Sequence, residues 1–317
     1  MEEIVQWMQD NKGSRVAALL SKVCGGNAKI LDAVLRGEEK IVLEKAIQLL
    51  FNRHGRRIPK NLSQAAFVRD ADYKFDYNME LEIDFTNRLV TLVNAFSGIL
   101  APGRLVPSVS GKFENEIQRL VGLIDGNSQV ANILIGPWLP IVLPRLTTSD
   151  PGTVLEQYLA AVGKSYTSAF SGRRFVNHRK GGLTKEVSVS RWEGDDGEID
   201  FSYDQLLERN LQESIVAIYF PSALQGFSSR AGCEQMKDLP EGFVSPGFGT
   251  AIAMAMYPDI LARDYNTPVL GLHPLFSNKH PGSFNFHTTN DSLIFDYTTS
   301  NSTHADECYS DGLLFVG

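Results

Sequence analysis

Three histidines near the C-terminus, His273, His280 and His287, are spaced by seven residues, and His304 follows with Asp306, Glu307 and Cys308. Neutral imidazole with carboxylate is a donor set suited to zinc or iron. His273-Pro274 and His280-Pro281 stand at expected strand ends or loops, where side chains from distant positions can converge. A divalent metal held by His273, His280, His287, His304 and Asp306 is therefore the candidate cofactor. The chemistry would be that of a metal-assisted hydrolase or oxygenase. The competing account is a set of separate surface or hydrogen-bonded histidines. His287 lies in an alternating stretch with Phe284 and Phe286, where one register turns it away from the others. Asp306 and Glu307 disfavour a thiolate at Cys308, so no cysteine nucleophile is expected there.

The densest basic cluster is Arg173, Arg174, His178, Arg179 and Lys180, with Phe170 and Phe175 among them. Arg173, Arg174, Arg179 and Lys180 are the candidates for contact with a phosphate or other anion. The plainer account, and the favoured one, is a solvated hairpin tip that balances neighbouring acids. A second patterned segment runs from Phe75 to Phe85. Its odd positions are apolar and its even positions, Asp76, Asn78, Glu80, Glu82 and Asp84, are polar. Strict alternation predicts a half-buried strand. Its four carboxylates read as a wet face that discourages edge pairing, more than as a cation site.

Familiar catalytic spacings fail. Gly163-Lys164-Ser165 resembles the end of a phosphate loop, but the required first glycine is Tyr158 and a helix is expected there. Gly247-x-Gly249 opens a helix without a preceding strand, and the third glycine position is Ile252. The acidic stretch 193–198 puts Trp192 and Tyr203 where a calcium loop needs ligands. Neither GxSxG nor HExxH occurs.

The elements that must position these residues read as follows. Helices are expected at 4–8, 16–24, 30–35, 38–54, 86–100 and 112–125, stopped in several cases by glycine. In the second half, Asp150-Pro151 opens a helix to about Lys164, and Ser202 with Gln205 has capping-box spacing for a helix to about Glu213. Ser245-Pro246 reads as the N-cap and first residue of a helix over 247–262 that is apolar nearly all round, kinked or split at Pro258. Strands are expected at 174–178 and 185–192, joined as a hairpin. Others are expected at 214–220, as a buried central strand, and at 268–276, 283–287, 292–297 and 313–316.

Strands following helices without regular alternation point to an α+β fold. A mainly helical lobe, residues 1–135 with one strand near 75–85, is expected to pack on a mixed lobe, residues 136–317, with a largely antiparallel sheet. The charge shifts at the same place: 17 basic against 16 acidic residues before Gly136, and 13 against 21 from it onward.

The chain has 317 residues, a formal charge of −7 and three dispersed cysteines without a CxxC pair. Its acidity argues against a dedicated nucleic-acid binder. Apolar runs fall short of a membrane span, and early acids argue against a secretory signal. A soluble, cytoplasmic, non-enzymatic binding or regulatory protein is the expected reading, acting through protein or small-molecule contacts. The metal-assisted enzyme is the alternative.

Overall fold

Asp150 begins the element around which the molecule is built. Its carboxylate accepts the Thr153 N–H at 2.7 Å and Pro151, which has no N–H to satisfy, fills the first helical position, so a helix starts there. The computed structural model describes residues 49–60, 66, 77, 83–104, 110–189, 202–279, 282–298 and 304–317. The helices are α1 (Phe85–Phe96), α2 (Ser110–Asp125), α3 (Pro151–Ala169), α4 (Ser202–Gln212), α5 (Ser229–Met236), α6 (Phe248–Met256) and α7 (Pro258–Leu261). The strands are β1 (Leu139–Leu143), β2 (Arg174–Asn177), β3 (Val187–Val189), β4 (Ile215–Phe220) and β5 (Phe243–Val244). After them come β6 (Val269–Ser277), β7 (Ser283–Thr288), β8 (Ser292–Thr298), β9 (Tyr309–Ser310) and β10 (Leu313–Phe315). The fold is α+β. No described helix is long and apolar enough to cross a membrane.

Two sheets result. One is antiparallel throughout, in the order β1-β4-β10-β5. The other runs β2-β8-β7-β6-β3, with β9 alongside the first part of β6; β2–β8 and β6–β9 are its parallel pairs. Strand β4 is covered on both faces: Ala217 and Tyr219 join one apolar cluster, Ile218 and Phe220 another. That explains its unbroken β-branched and aromatic run, as the sequence suggests. Helix α6 is buried at every residue, including Ile252 and Met254, and packs on α1, α3, β1 and β6. Tyr257 interrupts the apolar stretch before Pro258, which starts α7, as expected for a proline that cannot continue the ladder.

Several local expectations are corrected. Residues 49–54 are not helical. Asn52 Oδ1 accepts the N–H groups of His54 and Arg56, and Phe51 pairs antiparallel with Arg57 around the turn. Gly55 there has φ +73° and lies against Gly136, where a Cβ would meet backbone at 2.5 Å. Of the expected strand at 75–85, Tyr77 is buried, but Ile83 and Asp84 are outside any strand and Phe85 starts α1. Asp84 caps that helix by accepting the Asn87 N–H at 3.0 Å, a local bond that outcompetes extension. The other residues of that segment, and the expected helices before residue 49, lie outside the described residues.

The hairpin over 174–192 is also replaced. Strand β2 pairs with β8 and β3 with β6, not with each other. The connection is held away by Leu183, buried against α3 where Gly152 lets the backbones approach, a Cβ there standing 2.1 Å from the Leu183 carbonyl. Glu186 anchors the same turn. It pairs with Arg179 and accepts the Ser277 hydroxyl at 2.9 Å. Burial works to raise its pKa, yet Ser277 and Arg179 outweigh this and hold the carboxyl below its usual value.

Two predictions follow from this packing. Ile252→Asp places an unpaired charge in the core, costing about 3–5 kcal/mol of a total near 5–15. Thermal melting is expected to show unfolded or insoluble protein, while Lys180→Ala at the exposed turn melts like the parent. Glu186→Gln lowers the melting temperature at neutral pH. Because the folded carboxyl titrates low, its contribution is present above the usual 4.5 and lost as pH falls through the folded value. The gap between parent and variant therefore closes in acid, and a gap constant with pH contradicts the pairing.

Candidate active site

Strand β6 carries His273 at a break in its ladder. Gly271 pairs with Asn285 and Phe276 with Ser283, so the register to β7 shifts between them. Pro274 has no N–H to give to that ladder. The His273 C=O accepts the Gly247 N–H at 2.8 Å, and its N–H favours the charged form of the Asp311 carboxyl. The imidazole stands edge-on to Phe276, with ring centroids 5.3 Å apart.

Helix α5 brings a thiol to this ring. Ser228 caps it by accepting the Ala231 N–H at 3.2 Å. Arg57, fully buried, donates to the Gln235 carbonyl at 3.2 Å and so ties the helix to the 49–60 segment. Cys233 Sγ lies 3.0 Å from His273 Nε2 and 3.8 Å from Nδ1, so Nε2 is its partner. Ser245 Oγ lies 3.2 Å from Nδ1 and 3.3 Å from Met236 Sδ. The bonds fit Ser245 donating to Met236 and Nδ1–H donating to Ser245, which leaves Nε2 as an acceptor for the thiol proton. The Ser229 carbonyl, 3.0 Å from Sγ, competes for that single proton.

Ser245 is here because the expected N-cap is wrong. Helix α6 starts two residues later, at Phe248, with Gly247 as cap at φ +47° and the Tyr203 hydroxyl accepting the Phe248 N–H at 2.9 Å. A Cβ at Gly247 would overlap Tyr203, and one at Gly249 would meet Leu314. Those glycines serve packing, not a phosphate.

Cys233 and His273 each expose 7% of their surface, and both open onto a cleft of about 750 Å³. Its walls are mixed: Leu123, Leu206, Met236 and Phe243 give apolar surface, while Arg209, Lys237 and Glu241 add charge. Behind the pair lies a second polar layer. The Tyr309 hydroxyl donates to Asp311 Oδ1 at 2.6 Å and also contacts Ser229 Oγ at 3.0 Å and Ser283 Oγ at 3.3 Å. Burial pushes the Asp311 carboxyl above its usual range, opposed by His273, Tyr309 and Ser229. Gly271 makes room for this layer.

Of the histidines singled out from sequence, His273 is in the cleft. His287 is on β7, half-buried, with burial lowering its pKa against the pull of Asp296. His304 is exposed, and Asp306 accepts the Cys308 N–H at 2.8 Å. His280 lies outside the described residues. Among the described residues, no three His, Cys, Asp or Glu side chains gather as a metal site. Each arginine of the basic cluster has a protein partner: Arg173 the Arg263 carbonyl and the Phe170 ring, Arg174 Asp291, Arg179 Glu186 and the Tyr297 ring. Lys180 is exposed.

Sequence reasoning missed Cys233, Ser245, Tyr309 and Asp311. A cysteine and a histidine 40 positions apart carry no spacing motif; the only hint is that both residue types occur in one chain. Comparison with known proteins finds no matching family model, no matching curated protein and no matching solved structure.

Gly271→Ala tests the second layer. The added Cβ would stand 2.1 Å from Asp311 Oδ1 and 2.3 Å from the Tyr309 hydroxyl. A loss of about 1–3 kcal/mol in denaturant unfolding is expected, typical of forced overpacking; unchanged stability contradicts the tight layer.

Proposed function

We propose that the chain is a thiol-dependent enzyme of the acyl-transfer class, acting on a carbonyl compound held in the 750 Å³ cleft. The supporting observation is the 3.0 Å approach of Cys233 Sγ to His273 Nε2 in the cleft lining, with the other ring nitrogen held by Ser245. Nucleophile, base and orienting group in hydrogen-bond series are the requirement for an activated thiol. In the first step His273 takes the thiol proton, sulfur bonds to the carbonyl carbon, and the leaving group departs with that proton. Water, deprotonated by His273, then releases the acyl group and restores the thiol.

A second reading has its own observation. The Cys233 thiol also lies 3.0 Å from the Ser229 carbonyl within α5, a bond suited to a neutral structural cysteine. On that reading the cleft belongs to a non-enzymatic protein that binds an apolar small molecule.

Alkylation by iodoacetamide, followed peptide by peptide, separates the two. The enzyme reading expects Cys233 to react at pH 6.5 faster than Cys308, which is less buried. It also expects His273→Ala to slow Cys233 at least about tenfold, because the thiolate is the reacting form. A Cys233 slower than Cys308 and indifferent to His273 leaves the binding reading.

A further inference from the structure

We propose that Asp311 is the positioning residue of the Cys233–His273 pair, a buried carboxylate that braces from behind the two elements carrying it. The inference rests on the thiol-enzyme reading. Asp311 exposes only 4% of its surface and lies in the loop between β9 and β10. Its carboxylate packs against β6 at Gly271, where an added Cβ would stand 2.1 Å from Oδ1, and against α5 at Gly232, where one would stand 3.8 Å from Oδ2. The His273 N–H and the Ser229 hydroxyl act against burial to lower its pKa. Ser229 is one helical turn before Cys233, and its carbonyl is the thiol's other neighbour. One side chain therefore braces β6 two residues before the histidine and α5 next to the cysteine. Tyr309 reinforces it, donating to Asp311 Oδ1 at 2.6 Å while contacting Ser229 and Ser283.

The arrangement is electrostatic as well as steric. Tyr309 donates to Asp311, and His273, Tyr309 and Ser229 favour its ionised form against burial, which raises its pKa. A carboxylate beside the ring favours the imidazolium, and the imidazolium favours the thiolate. The titratable groups near His273 include Cys233 from α5, in contact with the ring, and Asp311, on which its charge acts. Tyr309 from β9 and Tyr219 from β4 face Asp311 in turn. Tyr203 from α4 stands at Gly247, whose N–H bonds the His273 carbonyl.

The test is the pH profile of Cys233 alkylation by iodoacetamide in the full chain, for the parent, His273→Ala, Asp311→Asn and Tyr309→Phe, with melting curves alongside. The parent is expected to show a midpoint below the ordinary thiol value of about 8.5, lost in His273→Ala. Asp311→Asn is expected to raise the midpoint by about one pH unit, slowing the reaction at pH 6 about tenfold. Tyr309→Phe keeps the charge but removes one bond to it, and shifts the midpoint the same way by less. If Asp311→Asn fails to fold, Tyr309→Phe decides the matter alone. A parent midpoint at the ordinary value, unmoved by His273→Ala, overturns the enzyme reading and this inference together. A low, His273-dependent parent midpoint that stays put in a folded Asp311→Asn, or in Tyr309→Phe, overturns only the role of Asp311.

Discussion

The hydrogen bond from the Gly247 N–H to the His273 carbonyl ties the strand that carries the imidazole to the start of the buried helix α6. It forms where the β6–β7 ladder shifts register around Pro274. On the same strand Gly271 leaves room for Asp311, whose carboxylate Tyr309 holds at 2.6 Å. These contacts join three parts of the chain that are far apart in sequence: β6, the loop after β9, and the start of α6. The imidazole stands where they meet, beside α5 and the cleft.

The same bond links the site to the core. Gly247, which receives the His273 carbonyl, is the cap of α6, and α6 is the apolar rod buried between the two sheets. Tyr203 supplies the acceptor that a serine cap would have supplied, leaving Ser245 to hold the ring nitrogen. Ser165 on α3 donates to the Ala255 carbonyl at 2.7 Å, and the Tyr257 hydroxyl donates to the Pro140 carbonyl at 2.6 Å, so the rod is fixed along its length. A site built on such an element has little freedom to drift, which is what a nucleophile–base pair requires.

Much of the fold was legible in the chain. Alternation and β-branched runs located β4, β6, β7, β8 and β10 within a residue or two, and capping chemistry located α3 and α4. The split at Pro258 and the burial of Ile252 to Met256 followed from proline geometry and from the absence of a polar face. The errors came where one local rule met a competing local bond. Asp84 could continue a strand or cap a helix, and the cap won. Asn52 and Gly55 made a turn inside a pattern that read as helix. Ser245-Pro246 has the form of a helix start, but a tyrosine from another helix took the role.

The sequence by itself determined what depends on neighbours a few residues apart: which stretches are helix or strand, which faces are apolar, and that the class is α+β. Those features come from backbone sterics, capping and periodicity, all short-ranged. Only the tertiary structure decided which strands pair, since β2 lies beside β8 and β3 beside β6 despite their adjacency in the chain. It also decided the site. Of the candidate histidines it placed His273 in the cleft, and it brought there a cysteine, a serine and an aspartate that no spacing relates. Their proximity is set by packing of the α6 core and by the register shift in β6 that joins His273 to Gly247, and neither is written in any local pattern.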